Sequence, residues 1–173
     1  MSDAEYPPEW GEPRTRTVTW WDPVRSLELR RGVPGQEFLD GMISGRFPPP
    51  PISGVIGQEL VSAADGEAVF HCTPDESFYN PIGLIHGGLL CTLMDSAMGV
   101  AVQTRLPADH GAASIELKVS FLRPVPADGS VLEVRGKAIR VGSRVAFAEA
   151  RAYRADGELV GHATSSLLVQ SIR

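Results

Sequence analysis

The chain has 173 residues, 43% of them hydrophobic and 21% charged, with a formal net charge of −5. This length fits one domain with a modest extension, and the apolar share suffices for a core. The acidic balance argues against non-specific binding to nucleic acid or to an anionic membrane, although a local arginine cluster can still hold phosphates.

Residues 1–34 carry Pro7, Pro8, Pro13 and Pro23, which are read as helix breakers, so this stretch is expected to be irregular. Trp10, Trp20 and Trp21 are scattered along it and suit packing on the domain or on a partner subunit. Its start is acidic and proline-rich rather than signal-like. Pro34-Gly35 opens a short helical pattern in which Phe38, Leu39, Met42 and Ile43 recur at helical spacing. Pro48 to Pro51 is expected to be a stiff extended strap. These features divide the chain into an N-terminal extension, 1–51, and a compact domain, 52–173.

Val55 to Ala64 reads as a strand, and Asp65-Gly66 as a tight hairpin into a second strand through His71. Residues 74–85 form a loop. A long apolar helix then runs from His86 to about Arg105, ahead of Pro107. Alternating segments follow at 112–122, 131–141, 145–154 and 159–172, separated by Asp128-Gly129, Gly142-Ser143 and Asp156-Gly157. Ile115, Leu117, Val119 and Phe121 share one face of the first. The pattern predicts a hairpin, a central helix and a meander of four long strands. That is an α+β fold, one antiparallel sheet wrapped around one helix.

On that helix Leu89, Leu90, Leu93, Met94, Ala97, Met98 and Ala101 form a broad apolar arc for the sheet. Thr92, Asp95, Ser96, Gly99 and Gln103 lie on the other side, where small residues admit a substrate or a second helix. The two cysteines, Cys72 and Cys91, lack metal-ligand spacing and do not form a disulfide framework, which predicts reduced thiols, a cytoplasmic protein and no metal. No stretch approaches the roughly 18 apolar residues of a membrane span.

The chemistry concentrates in Asn80-Pro-Ile-Gly-Leu-Ile-His86-Gly87-Gly88 and in Asp95 beyond it. A helix N-terminus offers unpaired N–H groups and partial positive charge, and glycine lets a ligand oxygen come close. Gly87 and Gly88 therefore serve either an oxyanion or tight packing. Asp95 is either a catalytic carboxylate or a solvated one. His86 either caps and orients the loop or moves a proton, and Asn80 is either a turn residue or a polar contact. Gly87 and Asp95 are eight residues apart, about 12 Å along a helix. Two antiparallel helices, one from each protomer of a two-fold dimer, would bring them together.

Asn80, His86-Gly87-Gly88, Asp95 and the later Phe121-Leu122-Arg123-Pro124 together resemble the hotdog-fold acyl-CoA thioesterases, in particular the phenylacetate-pathway (PaaI-like) branch. The resemblance covers roughly residues 52–171. It implies a hotdog fold, a homodimer or homotetramer, and hydrolysis of an acyl-CoA with an aryl or medium-length acyl group. No cofactor is implied beyond coenzyme A as part of the substrate. It assigns the oxyanion N–H to Gly87, the nucleophile or general base to Asp95, carbonyl or water orientation to Asn80, and support of the water to Ser114. Gly88, Thr92 and Ser96 would line the substrate, and the turn Arg140, Gly142, Ser143, Arg144 would approach the nucleotide of CoA. The same turn alone is equally a solvated hairpin. Rival expectations are an enoyl-thioester hydratase or dehydratase on the same fold, and a binding module that holds acyl-CoA or lipid without turnover.

Overall fold

A computed structural model describes residues 6–172. Residues 1–5 and 173, at the outer ends of the two predicted segments, lie outside that range. In chain order the elements are α1 (Pro23–Arg30), α2 (Gly35–Ile43), α3 (Pro51–Ile56), β1 (Gln58–Ala64), β2 (Glu67–Cys72), α4 (Gly87–Gln103), β3 (His110–Phe121), β4 (Leu132–Val141), β5 (Val145–Tyr153) and β6 (Leu159–Ser171). Short 3-10 turns stand at Pro8–Trp10 and Glu76–Phe78. No helix among the described residues is long and apolar enough to cross a membrane.

The strands form one antiparallel sheet in the order β1-β2-β4-β5-β6-β3, curled around α4, which packs against all six. This is the expected α+β hotdog arrangement. Leu93, Met94, Ala97, Met98, Ala101 and Val102 of α4 are fully buried. Each large side chain among them contributes roughly 1.5–3 kcal/mol through removal from water. The sheet answers with small inward residues, notably Ala146, Ala148, Ala150 and Ala152 on β5. The closest approach is at Gly136 of β4, where a Cβ would stand 2.2 Å from the Ala97 carbonyl oxygen. Only glycine lets strand and helix backbones meet there.

The structure corrects four local expectations. Pro23 does not break a helix but starts one: Asp22 Oδ1 accepts hydrogen bonds from the Val24 N–H (2.8 Å) and the Arg25 N–H (3.4 Å), and proline fits the first turn, where no N–H partner exists. The proline run is not extended throughout, because Pro51 opens α3 in the same way. That helix occupies Val55 and Ile56, so β1 begins only at Gln58, after left-handed Gly57. The four-strand meander is in fact three strands, β4-β5-β6. β3 sits at the sheet edge beside β6, and the connection through Pro124 and Pro126 crosses over to β4 instead of making a hairpin. A bulge between Ser114 and Glu116 leaves Ile115 exposed.

Candidate active site

Asp95 lies midway along α4 on its polar strip and is half-buried. β3 runs alongside, and the Ser114 hydroxyl donates to Asp95 Oδ1 at 2.5 Å. The serine stands at the β-bulge, which re-aims side chains at an edge. Both residues line a cavity of about 560 Å³, together with Ser96, Gly99, Val100 and Gln103 of α4. Its other walls come from Leu27, Phe38, Leu39 and Met42 of the N-terminal helices and from Phe70 of β2. A carboxylate with one hydroxyl donor, at the side of a largely apolar cavity, can accept a proton or attack an electrophile that an apolar group anchors beside it.

Ser96 accepts a hydrogen bond from Gln58 Nε2 at 3.1 Å, and Ser53 accepts from the same nitrogen at 3.3 Å. Gln58 is buried, and its Oε1 has no hydrogen-bond partner among the described residues. The sequence reading did not single out Gln58. Its only signal was a polar residue entering a strand after a glycine.

The Gly-Gly segment is built separately. His86 caps α4, its Nδ1 accepting from the Gly88 N–H at 2.8 Å, while the His86 N–H donates to the Phe78 carbonyl at 2.7 Å. The Gly87 N–H, as the first in the helix, donates to nothing among the described residues. A Cβ on Gly87 would come within 2.8 Å of the Phe121 ring, which lies over this glycine. Asn80 Oδ1 accepts from the Ile82 and Leu84 N–H groups, both at 3.1 Å, and pins the loop before the helix. Its amide nitrogen has no partner among the described residues.

Within one chain these groups are not gathered at a single point. Asp95, Ser96 and Ser114 share the large cavity, whereas His86, Gly88 and Thr92 line a separate depression with Ile56, Phe78 and Tyr79. Thr92 itself donates to the Gly88 carbonyl at 3.0 Å. Arg140, Ser143 and Arg144 stand exposed on the β4–β5 turn, where the Gly142 N–H donates to the Val145 carbonyl at 3.0 Å. Neither arginine has a carboxylate within salt-bridge distance among the described residues.

The family model described as the thioesterase superfamily matches residues 82–161, which span the Gly-Gly segment, Asp95, Ser114 and the β4–β5 turn. A Saccharolobus solfataricus protein that carries an esterase name is 32% identical over 108 residues, covering 62% of this chain and 75% of the relative. The chain belongs to the thioesterase superfamily. Another relative, from Halobacterium salinarum and also carrying an esterase name, is 38% identical over 99 residues. That match covers 54% of this chain and 64% of the relative, just short of two thirds of its length. Human acyl-coenzyme A thioesterase 13 is 28% identical over 113 residues, covering 64% of this chain and 73% of that one. Among solved structures, a phenylacetic acid degradation-related protein of Ralstonia eutropha that carries a thioesterase name superposes with a TM-score of 0.68 at 27% identity, over 75% of this chain and 98% of that one. The superfamily match thus covers α4, β3, β4 and β5, while α1, α2, α3, β1, β2 and most of β6 fall outside it.

Proposed function

We propose that this protein hydrolyses acyl-CoA thioesters to the free acid and CoA, with Asp95 as the base or nucleophile and the Gly87 N–H of the partner subunit as oxyanion donor. The observation that carries the reading is the Asp95–Ser114 pair at the side of an apolar cavity. Similarity to human acyl-coenzyme A thioesterase 13 supports the substrate class.

The edge strand supports a dimer. β3 is 12 residues long, has no strand beside its outer edge among the described residues, and exposes Ile115, Leu117 and Phe121. An edge of that kind is suited to antiparallel pairing with a second copy. A two-fold axis near Lys118 would run the partner's β3 antiparallel to this one and bring its Phe121 toward Ser114. Since Phe121 covers Gly87, the partner's free N–H would then approach Asp95. This geometry answers the roughly 12 Å that separates the two groups along one helix.

In the reaction, the amide hydrogens at the helix N-terminus stabilise the oxyanion that forms when the thioester carbonyl is attacked. Asp95 either takes the proton of the attacking water or attacks the carbonyl carbon itself and is later released by water. Either way the C–S bond breaks and CoA leaves as the thiolate, a good leaving group that needs no dedicated acid. Ser114 holds the carboxylate in position, and Asn80 keeps an amide N–H for the carbonyl or the water. Arg140 and Arg144 offer unpaired cations to the phosphates of CoA.

The test is release of free thiol from a panel of acyl-CoAs by wild type and Asp95→Ala. A fall of about 100-fold or more in kcat is expected in the variant. Undiminished release would remove Asp95 from the reaction, and binding without any release would mark a ligand-holding module. After one turnover in ¹⁸O-labelled water, label in the carboxylate of Asp95 would identify it as the nucleophile, its anhydride opened by water at the Asp95 carbon.

A further inference from the structure

We infer that the N-terminal helices build the acyl chamber of this site and that Arg30, at its far end, selects acyl groups that terminate in a carboxylate. The inference rests on the thioester-hydrolysis reading above and adds the substrate class.

The long axis of the cavity can be read from two independent elements. On α4, Asp95, Gly99 and Gln103 follow one another at four-residue spacing, and all three line the cavity. From Asp95 to Gln103 is about 12 Å of helix. Along β3, Ser114 meets Asp95 at one end, while the His110 carbonyl accepts from Gln103 Nε2 at 3.2 Å at the other. Ser114 to His110 is about 13 Å of strand. The two elements therefore run side by side in opposite directions, with the carboxylate at one end and Gln103 at the other.

The roof belongs to the segment outside the family match. Pro23, Ser26, Leu27 and Arg30 of α1, a single face at i, i+3, i+4 and i+7, all line the cavity. Arg30 Nη2 donates to the same His110 carbonyl at 2.9 Å, which places it at the Gln103 end, away from Asp95. Its guanidinium carbon lies 5.1 Å from the centre of the Phe38 ring.

Arg30 is half-buried and has no carboxylate within salt-bridge distance among the described residues. Burial pulls it below the ordinary guanidinium value, yet an arginine stays charged in a protein. A desolvated cation without a counter-ion is costly. A methyl-ended chain filling the chamber would strip more water from it and return nothing. A chain ending in a carboxylate would meet the remaining N–H fork with a bidentate, charge-assisted pair. The fitting substrates are CoA monothioesters of medium-length dicarboxylic acids.

The experiment compares decanoyl-CoA with the CoA monothioester of decanedioic acid, measured by thiol release in wild type, Arg30→Met and Arg30→Lys. The readout is the ratio of the two kcat/KM values, which a partly unfolded variant leaves unchanged because both rates fall together. Wild type is expected to favour the diacid thioester about tenfold or more. Arg30→Met should bring the ratio near one, and Arg30→Lys should keep part of it. A wild-type preference for decanoyl-CoA, or an equal ratio in wild type and Arg30→Met, overturns the inference. If neither thioester is cleaved, the hydrolysis reading fails. Calorimetric binding of the two thioesters to Asp95→Asn, with and without Arg30→Met, then judges the chamber alone, and equal affinities overturn it.

Discussion

Helices α4 and α1 both start from a side-chain cap, yet they are held by different means. α4 is capped by His86 and buries nine of its 17 residues against the sheet. α1 is capped by Asp22 and buries none of its eight. Its ties to the rest of the molecule are mainly polar: Arg30 to the His110 carbonyl, and the Gly32 N–H just beyond it to Asp109 Oδ1 at 2.9 Å. The contrast separates two jobs. Apolar burial fixes the helix that carries the carboxylate, and a few hydrogen bonds hold the helix that roofs the cavity. Segments held in the second way open at lower free energy than the core.

The sharpest way to break this contrast is truncation of a core leucine. Leu93→Ala, at a fully buried position, should lower global stability by about 2–5 kcal/mol in chemical denaturation. A loss under about 1 kcal/mol would mean that α4 does not carry the core. Next in size, Asp22→Ala removes the α1 cap at a cost of about 1 kcal/mol. That cost should speed amide hydrogen exchange within α1 and leave the denaturation midpoint almost unchanged. Equal slowing or quickening across α4 would show that the two helices unfold as one unit. Smaller again, Leu27→Ala in the exposed part of α1 should alter global stability by no more than about 0.5 kcal/mol, read by thermal unfolding.

A pH-dependent effect lies where the end of β2 meets α3. Cys72, at the end of β2, donates its thiol to the Ile56 carbonyl of α3 at 3.4 Å. Burial pushes this thiol up to about 11 from its ordinary value of 9.0. The folded pKa is thus the higher one, so the stabilisation is complete below pH 9.0 and is lost as pH rises toward about 11. Urea midpoints of wild type should fall more steeply over that range than those of Cys72→Ala. Parallel slopes would show that the thiol is not sequestered.

Much of the core was legible because its patterns are periodic. Leu89 to Ala101 repeat at helical spacing, Leu132 to Ala138 and Ala146 to Ala152 alternate, and Asp65-Gly66 marks its own hairpin. The helix over 23–30 is also written in the chain, as Asp22-Pro23, because a proline that breaks a helix interior is tolerated in its first turn. The place of β3 was hidden. Alternation tells which face of a strand is apolar and says nothing about which neighbour it pairs with. For the site, Asp95 and Gly87 stood out by residue type and position and Ser114 through the family resemblance, while Gln58 and Arg30 had no local motif to mark them.

By itself the sequence determined that a central helix and the strands around it form, which face of that helix is apolar, and where a carboxylate and a free helix N-terminus fall along the chain. These depend on neighbours a few residues away, through backbone geometry, capping and burial. Only the tertiary structure decided that β3 closes the sheet edge, that Ser114 reaches Asp95, and that Arg30 stands across the cavity from it. Each of those contacts joins residues far apart in the chain, and their meeting depends on how loops route whole elements around one core.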